Sequence, residues 1–327
     1  MAYTTIDKPS DYFETILYSG NGSTQSITSL DFQPDWCWLK ARAGDNVSNN
    51  RSVDSVRGAT KELFQDATAA EETNTNGLTA FNSNGFSLGS SGGTNNSNTT
   101  YASWNWKETA TAGFDIVAYT GNATVRTISH SLSAVPKMII VKNRSNIHDW
   151  RVYHASLGAT HDIYLSSNGA KVDSTTPWND TEPTSSVFTV GTANGTNQNG
   201  DSLIAYLFAE KKGYSKFGSY TGNGNADGTF IYTGFKPAFI MCKRTDGADD
   251  WFLLDNKRDI DNPANHWLMA DSSGAEQTSP IFFDFLSNGF KNRGTGGGNN
   301  ASGGTYIYMA FAENPFVTST GVPATAR

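Results

Sequence analysis

The sequence predicts an all-β protein of three tandem β-sandwich repeats, jelly-roll or concanavalin-like, each of about 100 residues. Three observations predict it. A set of turn and strand signals recurs three times along the chain. Within each copy, apolar stretches of about 5–8 residues alternate with clusters of Gly, Asn, Asp and Ser. The composition of the 327 residues joins 12% aromatic and 37% hydrophobic residues to only 17% charged ones and 32 glycines. A chain this aromatic can bury a core, and it lacks the high charge of disordered segments.

The copies open on Tyr18-Ser19-Gly20-Asn21, Tyr119-Thr120-Gly121-Asn122 and Tyr220-Thr221-Gly222-Asn223, spaced 101 residues apart both times. Each continues into a proline-led apolar run that ends on lysine: Pro34 to Lys40, Pro136 to Lys142 and Pro237 to Lys243. Asp149-Trp150 and Asp250-Trp251 then correspond, whereas the first copy has no tryptophan there. Asn84-Gly85-Phe86 and Asn288-Gly289-Phe290 match, with Ser186-Val187-Phe188 at a similar offset. The copies close on aromatic strands ending in Glu108, Glu210 and Glu313. These landmarks divide the chain into a lead over 1–10, repeats over 11–110, 111–213 and 214–315, and an extended arm over 316–327.

The third copy shows the expected strands: Phe217–Thr221, Thr229–Tyr232, Ala238–Lys243, Trp251–Leu254, Trp267–Ala270, Ile281–Leu286 and Tyr306–Ala312. Pro237 sits at a strand start, where its missing N–H does no harm. No segment carries a convincing helical stripe; Ser55–Ala70 comes nearest and allows a short turn. The proline-led strand is apolar on both faces, with Trp36, Met138 and Phe239 pointing one way and Cys37, Ile139 and Ile240 the other. The closing strand behaves alike. A sandwich strand normally alternates core with solvent, so the second face requires a cover, either a neighbouring repeat, a loop or another chain. Trp36, Trp38, Met138, Phe239, Tyr306 and Tyr308 are accordingly expected at an interface, with self-association as a trimer favoured. Cys37 and Cys242 read as small core residues.

The remaining composition excludes classes of function. No apolar run reaches the length of a membrane helix, and the N-terminus lacks the basic and apolar regions of a signal peptide. Synthesis in a reducing cytoplasm is expected, without membrane insertion. A net charge of −7 argues against a nucleic-acid partner, which needs a basic face. Neither a paired-histidine nor a paired-cysteine metal motif occurs, and no cofactor and no metal are expected. Glu71-Glu72, Asp249-Asp250 and Asp259 with Asp261 are the carboxylate pairs that acid/base chemistry or calcium would use. His148-Asp149-Trp150, followed by His154 and His161, is the densest histidine cluster. Trp178, in a polar loop with Asp180, has the setting of a sugar-stacking residue. Trp178, His148, Asp149 and Asp180 are therefore the candidate ligand-binding residues; no catalytic residue is expected.

Several of these segments carry a resemblance. Val56-Arg57-Gly58 with Gly85-Phe86, the Tyr-Thr-Gly-Asn openings, Lys216 to Gly224, Tyr306 to Pro315 and the terminal Val322 to Arg327 resemble the repeat domain of tail-fibre-like and virion structural proteins of tailed bacteriophages, marine phages in particular. The resemblance covers nearly all of 11–327 and transfers no active-site residue. It implies a non-enzymatic virion protein, a tail fibre, spike or collar component with other virion proteins as partners and host-surface glycan as ligand. A capsid or tail decoration protein without receptor binding is the alternative, and a polysaccharide depolymerase a more distant one.

Overall fold

A computed structural model describes residues 3–324; the first two residues of the expected lead and the last three of the expected arm lie outside the described residues. The first third of the chain forms β1 (Phe13–Ser19), β2 (Gln25–Ile27), β3 (Trp36–Gly44), β4 (Arg51–Asp54), β5 (Lys61–Phe64), β6 (Glu72–Thr73), β7 (Leu78–Asn82), β8 (Gly85–Leu88), one helical turn α1 (Gly92–Asn95) and β9 (Thr99–Trp106). The second forms β10 (Phe114–Thr120), β11 (Arg126–Ser129), β12 (Met138–Asn143), β13 (Arg151–His154), β14 (His161–Tyr164), β15 (Val172–Asp173), β16 (Val187–Val190), α2 (Asn194–Asn197) and β17 (Ser202–Phe208). The last forms β18 (Ser215–Thr221), β19 (Phe230–Tyr232), β20 (Phe235–Arg244), β21 (Trp251–Asp255), β22 (Ala264–Met269), β23 (Gln277–Leu286), β24 (Gly289–Asn292), α3 (Gly297–Asn300) and β25 (Thr305–Pro315).

The fold is all-β, with several antiparallel sheets. The first large sheet has the order β1-β9-β3-β4-β5-β6 and the second β10-β17-β12-β13-β14-β15. The third starts in the same order, β18-β25-β20-β21-β22, and runs on through β23-β24-β19 as eight strands curling toward closure. Its continuation takes the place of two small separate sheets, β2-β8-β7 and β11-β16, beside the first two. All seven strands expected in the last third are present, and the eighth, β24, completes them. The stretch over Ser55–Ala70 holds turns and β5 rather than a helix.

Antiparallel register shows why both faces of the central strands are apolar. Trp36 faces Trp106 across β3 and β9, Trp38 faces Trp104, and Lys40 faces Ala102. Directly opposed residues share a face, so these six point one way while Cys37 and Leu39 point the other. On the Cys37 side each large sheet packs over its own small sheet or hairpin. On the Trp36 side all three large sheets meet in one shared core, which contains Trp36 and Trp104, Met138 and Tyr206, and Phe239 and Phe311. Rings meet across it, Trp36 stacked on Tyr206 with centroids 4.4 Å apart and Trp104 tilted by 58° against Phe239 at 5.9 Å.

This corrects the interface expectation. Trp36, Trp38, Met138 and Phe239 are at most 1% exposed within a single chain and lie in the shared core. Tyr306 and Tyr308 are buried in the core of the third sheet. The apolar faces are covered by the chain's own sheets, so these six side chains are not free for a second copy.

The tryptophan absent from the first stretch is compensated in space. Trp150 donates its indole N–H to the Phe64 carbonyl (2.7 Å) and Trp251 to the Tyr164 carbonyl (2.9 Å). At the corresponding place Asn50 donates to the Met269 and Ser272 carbonyls at 3.1 and 3.0 Å. The volume lost is restored by Trp38, which stands where the other sheets have Ile140 and Met241 and donates to Asn50 Oδ1 at 2.9 Å. Asn50→Trp alone should overpack the core, at about 1–3 kcal/mol. Trp38→Met with Asn50→Trp copies the third sheet and should cost clearly less than the two single losses added together. Denaturant midpoints of both singles and the double measure that coupling.

Candidate functional site: the junctions between sheets

Ionisable side chains gather where one sheet meets the next. The lysine ending each proline-led run is the third inward residue of its strand, and all three are fully buried. Lys40 donates to the Ser48 carbonyl and, across to the third sheet's loop, to that of Ser273, both at 2.8 Å. Lys142 donates to the His148 carbonyl and to Thr68 of the first stretch (2.8 Å). Lys243 donates to the Arg244 carbonyl and to Asn168 of the second (3.2 Å). Burial pushes all three ammonium groups down to about 8. The carbonyl oxygens offset the lost hydration, since a buried charge requires partners.

Beside each lysine a backbone bond crosses the same junction: Glu276 N–H to Arg42 O at 2.9 Å, Glu71 to Arg144 at 2.9 Å and Lys171 to Thr245 at 3.0 Å. First sheet meets third, third meets second and second meets first, so the contacts close a ring. Two junctions add a salt bridge, Arg42–Glu276 and Arg144–Glu71, each at 2.8 Å. Burial would raise the Glu71 carboxyl, but Arg144 and Arg57 hold it below the usual range. The third junction has Lys171 in place of the glutamate and Thr245 in place of the arginine, so it carries no such salt bridge; the adjacent Arg244 pairs locally with Asp246 at 2.9 Å.

Deeper in, Asp54 and Arg57 form a fully buried ion pair. Tyr206 of the second sheet donates its hydroxyl to Asp54 Oδ2 at 2.7 Å, and Glu71 accepts from Arg57 at 3.2 Å. Asp255 and Arg258 repeat the pair at 2.6 Å, with the Trp104 indole donating to Asp255 at 3.1 Å. At the matching place the second sheet has His154 and Leu157. His154 Nε2 donates to the Tyr308 carbonyl at 3.2 Å, and its Nδ1 accepts from Ser156 N–H at 3.2 Å. The bond accepted at Nδ1 needs the neutral ring, and although the Tyr308 carbonyl favours the proton, burial pushes the pKa down to about 4.

The sequence-predicted ligand residues are not brought together as a binding site. Trp178 is 2% exposed and packs edge-on against Tyr153, with centroids 6.1 Å apart. Asn179 and Asp180 both take left-handed backbone, φ 53° and 47°. Short polar residues tolerate this conformation, and here it accompanies a loop whose tryptophan lies inside. The sugar-stacking expectation at Trp178 is thereby corrected. Asp180 is exposed beyond it. His148 pairs with Gln198 Oε1 at 2.8 Å, and Asp149 accepts from the Ser166 hydroxyl at 3.0 Å. Glu71 and Asp259 are engaged by Arg144 and by His266 (2.6 Å). Among the described residues no group of three or more His, Cys, Asp or Glu could hold a metal ion. A cavity of about 60 Å³, lined by Phe13, Glu14, Ala238, Lys257 and Glu313 among others, is far smaller than a small-molecule site.

Sequence reading missed the buried Asp–Arg pairs and the role of the lysines. The signals were present: a lysine six positions after each proline, and Val56-Arg57-Gly58 among the segments that carry the resemblance. No helix among the described residues is long and apolar enough to cross a membrane. No curated protein matches the chain. The family model described as a domain of unknown function, DUF7483, matches residues 8–315, and the chain belongs to that family.

Proposed function

We propose that the three stretches are copies of one β-sandwich repeat fused into a single-chain pseudo-trimer. In this reading the protein is a non-enzymatic structural component of a tailed bacteriophage particle, a tail fibre, spike or collar part that displays its outer loops toward host-surface glycan. The observation that carries the reading is the ring of equivalent junctions. Lysines, Asp–Arg pairs and His154 are used to lock sheet to sheet, as a rigid display scaffold needs, and not to line a cleft. The resemblance of the Tyr-Thr-Gly-Asn and Val-Arg-Gly segments to virion proteins supplies the particle. Fusion replaces the expected homotrimer, because one chain already provides three units around a common core. Partners in this reading are other virion proteins.

Two measurements test it. Light scattering after size exclusion should return the mass of one chain, 35.3 kDa, and peptide mass spectrometry of purified particles from the encoding phage should recover the chain in fixed ratio to other structural proteins. Absence from washed particles would defeat the structural reading.

A further inference from the structure

One surface feature belongs to the third sheet alone. On β19, Ile231 points inward while Phe230 and Tyr232 remain 44% and 53% exposed. The strand pairs with β24 as β2 pairs with β8 and β11 with β16: Ile231 faces Phe290, Ile27 faces Phe86, and Ile128 faces Phe188. By that register the two aromatics replace Ser26 and Thr28 of the first stretch and Thr127 and Ser129 of the second. Hydroxyls elsewhere have become two rings about 7 Å apart along one strand.

The rings are held for display. Phe230 Cε2 lies 3.1 Å from where a Cβ on Gly289 would sit, so one edge of the ring rests over bare backbone while 44% of the residue stays exposed. Tyr232 bonds through its hydroxyl to that of Tyr3 at 3.2 Å, and Tyr3 donates to the Gly234 carbonyl at 2.7 Å. Lys291 stands opposite Phe230 and binds Asp227 at 2.5 Å. Asp284 stands opposite Lys291 and binds Arg293 at 3.4 Å. Each of these two ion pairs is balanced in charge.

We propose that this face of β19 and β24 is a carbohydrate-binding site for a neutral oligosaccharide, with Phe230 and Tyr232 stacking on successive sugar rings and the Lys291–Asp227 pair bonding their hydroxyls. The electron-rich aromatic face attracts the C–H-bearing face of a pyranose. A balanced pair of charges suits hydroxyls better than an ionic ligand. A protein partner fits poorly, because two half-exposed rings supply far less than the ~800 Å² per side of a stable interface. The proposal rests on the display reading above but places the contact on one unit only.

The test is an array of bacterial surface oligosaccharides probed with the full chain, followed by calorimetric titration of the hits. Phe230→Thr and Tyr232→Ser reproduce the second stretch. Each should weaken binding at least tenfold and together abolish it, with an unchanged melting temperature, while Thr127→Ala leaves it intact. Binding that survives the double substitution, or no neutral oligosaccharide bound at millimolar concentration, overturns the site. So does a chain dimer that the same substitutions dissolve. A blank array with the chain present in particles sinks this inference alone; sugar binding lost on substitution with the chain absent from particles sinks the virion reading alone.

Discussion

Asp54→Ala is expected to lower folding stability by about 3–5 kcal/mol, a large share of the total for any domain. The carboxylate has no exposed surface, pairs with a guanidinium that has none either, and accepts the Tyr206 hydroxyl from the neighbouring sheet. Its removal leaves Arg57 charged and dry, held by Glu71 at 3.2 Å and by the Ser52 and Lys61 carbonyls at 2.9 and 3.2 Å, which is the costly way to break a buried pair. Arg57→Leu should be harmful for the mirrored reason. The second sheet shows a working alternative, His154 with Leu157, in which nothing is charged. Asp54→His with Arg57→Leu should therefore be less destabilised than either single change to Ala or Leu. Tyr206 keeps the Ser52 hydroxyl at 3.3 Å and Glu71 keeps Arg144 at 2.8 Å. Urea unfolding of the three variants decides it, provided the slopes agree. A double variant worse than both singles would mean that the charged pair itself, and not its neutralisation, holds the junction.

The relation between sequence and fold explains which parts of this were legible. Strand positions followed from short-range signals: a proline at the first ladder position, Gly-Asn turns, and apolar alternation. The two-sided apolar strands correctly demanded a cover. What covered them was decided by contacts between residues more than a hundred positions apart, such as Trp36 on Tyr206, and no local pattern reports those. Of the covers the two-sided strands allow, a neighbouring sheet of the same chain is the one that packs on the Trp36 face. Trp178 failed for a different reason. A tryptophan among polar residues reads as exposed, but two consecutive left-handed residues accompany a turn that local polarity does not reveal. The burial of the lysines is not legible locally, because a lysine ending an apolar strand normally marks the passage to solvent. Here the passage leads under the next sheet's loop, where backbone carbonyls replace water.

The second large effect is on pH, and it comes from His154. The ring is buried, and burial lowers its pKa from about 6.5 in the unfolded chain to about 4. Between these values the unfolded chain binds the proton and the folded chain does not, so stability rises with pH across that window. The contribution is complete above about pH 7, shrinks as the pH falls, and is gone near pH 4; a gap of about 2.5 units corresponds to roughly 3 kcal/mol. Other buried groups work against it. Burial raises Asp162 to about 6 and Glu108 and Asp271 to about 7. Their stabilisation is present at low pH and lost as the pH climbs through those values. The whole-protein curve is thus flatter than His154 alone would make it, and the informative quantity is a difference. His154→Gln keeps an N–H for the Tyr308 carbonyl and cannot be protonated. Stability of the wild type minus that of the glutamine variant, followed by denaturant unfolding from pH 7 to pH 4, should fall by about 3 kcal/mol toward the acid end. A flat difference would show that His154 takes up its proton without leaving the junction, and the neutral ring between Tyr308 and Ser156 would have to be abandoned.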